Sequence, residues 1–283
     1  MEKNLKVIGI ASGIGAEKYG ANLGVFDIYS RINSIDSNIK FDKLFYHNHI
    51  NNKLEAIDLL YPFYAEIIEY VKSIYNKNDR YLFMTGDHSC AIATWTALMN
   101  SMEKSCGLIW VDAHLDCHSV NTSYSKNIHG MPCRHLIGMG ESKFDDLIKY
   151  KIDRQNICFI GTRDYEKEER EFIDSLGIKA FYMEKITEKN FTITLKNAMS
   201  MVSEKVDFFG VSLDMDSMDP EVAPATGCYN PLGLSLEQII ELISVFKENE
   251  KFKALELTEY NPLFDEQNKT FEVICAIIRE YIK

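Results

Sequence analysis

Val111-Asp112-Ala113-His114-Leu115-Asp116 closes the apolar run Leu108-Ile109-Trp110-Val111 with three metal-capable side chains at alternate positions. A short apolar run of this kind reads as a buried strand, and a strand sends alternate side chains to one face. A strand ending here therefore aims Asp112, His114 and Asp116 at one spot. A solvated strand would also alternate charge, but two further segments repeat the pattern. Leu82-Phe83-Met84-Thr85-Gly86-Asp87-His88 is an apolar run that ends in a glycine and then a histidine. Phe208-Phe209-Gly210-Val211-Ser212-Leu213-Asp214-Met215-Asp216 ends in two carboxylates at alternate positions. In a parallel sheet the C-terminal strand ends lie along one edge, where ligands bind. The three ends are thus expected to converge on His88, Asp112, His114, Asp116, Asp214 and Asp216.

Such a set holds four carboxylates and two imidazoles, more than one ion needs. Packed carboxylates repel one another unless cations separate them. Oxygen-rich ligands with some imidazole and no thiolate favour a hard divalent ion such as Mn²⁺ over structural zinc. Two ions bridged by shared carboxylates fit this set, and a water held between them becomes a nucleophile near neutral pH. The expected chemistry is hydrolysis at a polar, electrophilic carbon.

The rest of the chain agrees with an enzyme built on an α/β sheet. Its 283 residues are 46% hydrophobic, ample for a sizeable core. Strand-like runs begin near Val7, Lys43, Tyr81, Gly107, Ile157, Lys179, Val206 and Ala254. Helical periodicity lies between them. It is clearest over residues 54–75, where Ile57, Leu60, Phe63, Ile67 and Val71 recur every three or four positions. Helices are also expected over 236–246, with Ser235 as N-cap, and over 272–281. Strands alternating with helices predict a mainly parallel sheet covered on both faces. No linker or repeat interrupts residues 1–283, which read as one domain. Residues 117–135 and 219–233 lack regular periodicity and, following strand ends, should form pocket walls.

Composition excludes several function classes. A net charge of -11 argues against nucleic acid, which needs a basic stripe. No run of about 20 apolar residues predicts a membrane span. The start Met1-Glu2-Lys3-Asn4-Leu5 leads into a strand-like run without the features of a signal peptide. Seven scattered cysteines without a CxxC pair suit a reducing, cytoplasmic compartment, and Cys90, Cys106, Cys158 and Cys275 read as small buried hydrophobes.

Thr85-Gly86-Asp87-His88-Ser89, Asp112-Ala113-His114-Leu115-Asp116 and the stretch from Ser212 through Asp214, Asp216 and Asp219-Pro220, in this order, resemble the motifs of the ureohydrolase (arginase/agmatinase) family. The resemblance implies a three-layer α/β/α sandwich with an eight-stranded, mainly parallel sheet. It also implies two Mn²⁺ per subunit, a small guanidino substrate, release of urea and an amine, and a trimeric or hexameric homo-oligomer. Carried over by motif position, it places one manganese on His88, Asp112, Asp116 and Asp214, and the other on Asp112, His114, Asp214 and Asp216. Asp116 resembles the carboxylate that relays a proton to the departing amine, which would otherwise leave as a poor amide anion. His129, in Asn127-Ile128-His129-Gly130, resembles the histidine that shuttles protons at the pocket mouth. Glu259 matches the acidic residue that pairs with the guanidinium, a role suited to bidentate carboxylate geometry.

The resemblance also bears on the substrate's tail. Ser125 and Asn127 match the arginase residues that bind the α-carboxylate of the amino acid, and Glu166 and Glu169 those that reach the α-amino group. L-Arginine or N-hydroxy-L-arginine is then the expected substrate, with agmatine or a guanidino acid as the alternative. Several positions depart from the family pattern. His118 stands where arginases usually carry Asn, and Lys126 replaces a small residue. Thr85 replaces the first glycine of Gly-Gly-Asp-His, and Glu166 is one methylene longer than the usual Asp. Ala21-Asn22-Leu23-Gly24-Val25 resembles the family's Gly-x-x-x-Gly-Pro turn but has no Pro.

Overall fold

The protein is described from a computed structural model that covers residues 4–47, 56–140 and 142–283. The start of the expected helix at Leu54, and Met1–Lys3 ahead of the first strand, lie outside the described residues.

The eight strands are β1 Leu5–Ala11, β2 Lys43–Tyr46, β3 Arg80–Thr85, β4 Gly107–Val111, β5 Ile157–Ile160, β6 Lys179–Phe181, β7 Phe209–Asp214 and β8 Phe252–Thr258. They form one sheet in the order β2-β1-β3-β8-β7-β4-β5-β6, and every neighbouring pair is parallel. The helices are α1 Ala21–Ile35, α2 Ala56–Ile74, α3 Ala91–Met102, α4 Pro132–Leu136, α5 Lys167–Leu176, α6 Phe191–Ser203, α7 Leu236–Lys247 and α8 Lys269–Ile282. Side-chain alternation along the strands divides the interior in two. Val7, Leu82, Ile109, Val211 and Leu255 pack with α1, α6, α7 and α8. Ile8, Phe83, Leu108, Trp110 and Phe159 face α2, α3, α4 and α5. The result is the expected α/β/α sandwich. Burial of both sheet faces explains why its strands read as near-continuous apolar runs.

Several expected boundaries move for local reasons. β7 begins at Phe209 rather than Val206, because the chain is still turning out of α6. α8 begins three residues before Glu272: Asp265 accepts from Thr270 N–H at 2.9 Å and Phe271 N–H at 3.0 Å, which satisfies the first turn. Ser235 caps α7 as expected and forms a reciprocal capping box with Gln238. Residues 117–135 are not wholly irregular, since Ile128–Gly130 form a 3₁₀ turn and Pro132 opens α4 at a position that needs no N–H. Ala21-Asn22-Leu23-Gly24-Val25 is the first turn of α1 instead of a separate turn motif. There Gly24 is required by close approach, because a Cβ would lie 2.1 Å from the Tyr260 carbonyl. Among the described residues no helix is long and apolar enough to cross a membrane.

Candidate metal centre and active site

The sheet order sets β3, β8, β7 and β4 side by side, so their C-terminal ends adjoin. His88 follows β3, Asp112 follows β4, Asp214 ends β7 and Glu259 follows β8. The side chains do not converge by strand alternation alone. β4 stops at Val111, so Asp112, His114 and Asp116 all lie beyond the strand. The Asp112 carboxylate accepts from His114 N–H at 2.8 Å and folds the chain back on itself. Asp116 then takes a left-handed backbone, φ 49°. Asp216 likewise sits in a 3₁₀ turn, Met215–Ser217, and its own N–H is capped at 2.8 Å by the Asp214 side chain. Gly86 lets the segment after β3 press against β1, for a Cβ there would meet the Ser12 carbonyl at 1.8 Å.

All six expected ligands meet. His88 Nδ1 lies 3.0 Å from Asp214, 3.1 Å from Asp112 and 3.2 Å from Asp116, each measured to Oδ2. His114 Nδ1 lies 3.2 Å from Asp112 Oδ1 and 3.3 Å from Asp216 Oδ2. His88 and the four aspartates are buried, and His114 is about one-quarter exposed, at 26%.

The orientation of His88 tests whether these residues suit a cation. Its Nε2 is 2.9 Å from Ser212 Oγ, and Ser212 donates its own proton to Glu256 at 2.7 Å. Ser212 can therefore only accept from His88, which places the neutral ring's proton on Nε2. Nδ1 then presents a lone pair to three carboxylate oxygens, and this buried nitrogen has no hydrogen-bond partner. Acceptors facing acceptors call for a positive charge among them, and a divalent ion supplies it. Without an ion a proton takes that role: burial opposes the imidazolium, but the carboxylates outweigh it and raise His88 well above its ordinary pKa. Burial and the neighbouring Asp112 charge push Asp116 up to about 6, and burial and Asp216 raise Asp214 well above the carboxylate range. The residues present fit a metal.

Buried contacts that hold the ligands in place were not foreseen from the sequence. Glu256 lies fully buried in the middle of β8, in register with Phe83 and Ser212. It accepts from Thr94 Oγ1 at 2.9 Å, Trp95 Nε1 at 2.8 Å and Ser212 Oγ. Trp110 stacks on the His88 ring, centroids 4.0 Å apart, and donates Nε1–H to Asp112 at 2.9 Å. The Arg163 guanidinium donates to the carbonyls of Gly161, Asp216, Ser217, Met218, Asn230 and Pro231, pinning the chain around Asp216. A charged residue inside an apolar strand run was the available signal for Glu256. Arg163 offered none, because its partners are backbone carbonyls, all but that of Gly161 more than 50 residues away in sequence.

A cavity of about 210 Å³ opens above the cluster, lined by His88, His114, Asp116, His118, Ser125, His129, Glu166, Glu169, Asp214, Asp216, Cys228 and Glu259 among others. Glu259 Oε1 accepts from His88 N–H at 2.8 Å and pairs with His129 Nδ1 at 3.1 Å. Burial disfavours the His129 imidazolium, yet the Glu259 carboxylate outweighs it and raises the pKa to about 9. Burial likewise opposes ionisation of Glu259, and the bond to His129 more than reverses this, drawing the carboxyl below its usual range.

Of the residues expected at the substrate's tail, His118, Ser125, Glu166 and Glu169 face this cavity. The buried Asn127 is not among its lining residues. His118 is engaged at both nitrogens, with Thr122 Oγ1 at 3.1 Å and Glu166 Oε2 at 2.9 Å. Glu166 and Glu169 also close a capping box at the start of α5. Lys126 donates to the Val120 carbonyl at 2.6 Å and so tethers its own loop. Thr85, in place of glycine, sends its hydroxyl to the Leu257 carbonyl at 3.4 Å.

Comparison with known proteins matches the Arginase family over residues 3–283. The chain is similar to the arginase of Staphylococcus aureus (strain MRSA252), with 31% identity over 98% of this chain and 96% of that protein. It is also similar to the arginase of Brevibacillus brevis, with 28% identity over 98% of this chain and 97% of that one. The crystal structure of arginase from Bacillus cereus superposes with a TM-score of 0.89 at 28% identity, covering 99% of this chain and 98% of that chain.

Proposed function

The chain belongs to the arginase family, whose members are metal-dependent hydrolases acting on guanidino C–N bonds, and from that premise we propose that it is a binuclear manganese enzyme releasing urea from an arginine-like amino acid. The observation that carries the reading is His88 Nδ1, buried, without a donor, and 3.0–3.2 Å from three carboxylate oxygens. His88, Asp112, Asp116 and Asp214 would hold one ion, and Asp112, His114, Asp214 and Asp216 the other. Bound there, the pair supplies a water acidified towards neutral pH.

The remaining roles fall to the chain's own residues. Glu259 receives the guanidinium, and its depressed pKa keeps it anionic for a charge-assisted pair. Asp116 lines the cavity beside the cluster and is suited to take a proton and return it to the departing amine. His129 lines the same cavity, bonded to Glu259, and is placed to pass protons between solvent and the site. His118, Ser125, Glu166 and Glu169 line the same cavity and would meet an amino-acid tail. Asn127, expected to bind the α-carboxylate, donates its backbone N–H to Ser125 Oγ at 3.2 Å and would hold that hydroxyl in place.

The test is urea release by protein reconstituted with Mn²⁺ and offered L-arginine, N-hydroxy-L-arginine, agmatine and guanidinobutyrate in parallel. Turnover of the amino-acid substrates alone is the expected result. Turnover confined to agmatine or guanidinobutyrate would overturn the substrate assignment while leaving the hydrolase assignment standing. No urea from any of them would overturn both.

A further inference from the structure

Six of the seven cysteines are buried, and Cys228 is the exception. It lies in the loop that follows the Met215–Ser217 turn, and it lines the active-site cavity. Its backbone is fixed on both sides: Thr226 Oγ1 donates to the Cys228 carbonyl at 2.7 Å, and Lys18 Nζ bonds the Gly227 carbonyl. Its Sγ, a ring nitrogen of His114 and a carboxylate oxygen of Asp216 all lie within 4.8 Å of one another. Bonds of roughly 2.0–2.3 Å to a divalent ion allow ligand atoms at most about 4.5 Å apart. Small side-chain adjustments therefore close the three on one ion. Asp216 also keeps one buried oxygen, Oδ1, without any hydrogen-bond partner. A nitrogen, an oxygen and a sulfur donor on one position form a softer set than carboxylates and imidazole alone.

We propose that Cys228 supplies a thiolate to the metal position formed by His114 and Asp216, so that this position accepts softer divalent ions, zinc and cobalt, as well as manganese. The inference rests on the reading of His114 and Asp216 as ligands, and it replaces the thiolate-free set expected from the sequence. Ligation breaks the S–H bond and forms an S–metal bond, and the proton leaves to solvent.

The experiment titrates the metal-free full-length chain with Co²⁺ and records the visible d–d bands, the near-ultraviolet sulfur-to-cobalt charge-transfer band, and cobalt content after dialysis. The wild type should show both band types, and Cys228→Ser should lose the charge-transfer band while still binding cobalt with d–d absorption. A disulfide reagent should label one thiol in the native metal-free wild type, none after cobalt loading, and none in Cys228→Ser. Wild type should also release one more proton per chain on loading than the variant. Cobalt bound without a charge-transfer band in the wild type would overturn the thiolate alone, as would a band that persists in Cys228→Ser. Failure to bind cobalt at all would overturn the ligand reading beneath it as well.

Discussion

Ser212→Ala should weaken both the fold and the metal centre, although Ser212 faces neither solvent nor substrate. The hydroxyl links two buried groups, accepting from His88 Nε2 at 2.9 Å and donating to Glu256 at 2.7 Å. Its removal leaves His88 Nε2–H without an acceptor and takes one of three side-chain donors from a fully buried carboxylate. A hydrogen bond to a charged group contributes about 1.5–3 kcal/mol, and an orphaned buried donor costs about 1–3 kcal/mol. Glu256 keeps Thr94 and Trp95, and the small void can relax, so the expected loss lies near the lower end of that sum, about 2–3 kcal/mol. For a chain of this size that corresponds to roughly 5–10 °C in Tm. Freed from its acceptor, the His88 ring also loses what fixes its proton on Nε2, and metal affinity should fall about 10–100-fold. The assay pairs thermal unfolding of the metal-free protein with Mn²⁺ binding by equilibrium dialysis, and Ser212→Thr serves as the control that keeps a hydroxyl. If Ser212→Ala unfolds at the wild-type temperature and binds Mn²⁺ as tightly, the relay from Glu256 through Ser212 to His88 does no orienting.

Three further perturbations probe separate parts of the site. Glu259→Gln should lower kcat/KM for the guanidino substrate about 10–100-fold, the value of one charge-assisted contact; unaltered steady-state kinetics would remove Glu259 from the guanidinium. Arg163→Lys cannot reach six carbonyls, so it should cost on the order of 2–3 kcal/mol in denaturant unfolding and reduce bound metal; a silent variant would show that the loops around Asp216 hold themselves. In metal-free protein, His129 titrates at about 9, above its ordinary 6.5, so its pairing with Glu259 adds stability that is complete below about pH 6.5 and lost as pH rises through about 9. The depressed pKa of Glu259 gives the opposite arm, present above 4.5 and lost as pH falls through its lower folded value. The stability difference between wild type and Glu259→Gln should therefore peak between these arms, and a difference independent of pH would refute the ion pair.

What the sequence determined by itself was the alternation of strands and helices that makes a parallel sheet, and the identity of the candidate ligands. Both follow from short-range signals: apolar runs of strand length, and Asp or His placed where those runs end. Leu108–Val111 and the residues after it carry that information without reference to any distant position. The tertiary structure decided the geometry. Asp112, His114 and Asp116 point together because of a left-handed Asp116 and a side-chain cap, not because of a continued strand, and no two-residue periodicity encodes either feature. Long-range partners were equally beyond sequence reading. Glu256 reaches His88 only through Ser212, across strands more than 40 residues apart, and Arg163 secures Asp216 through carbonyls that every residue possesses. Asn127 matched a motif position yet is absent from the cavity lining, while Cys228, outside every expected role, lines the cavity beside His114 and Asp216. A side chain's type is written in the chain, but the direction it faces depends on backbone angles and on neighbours that folding alone brings within reach.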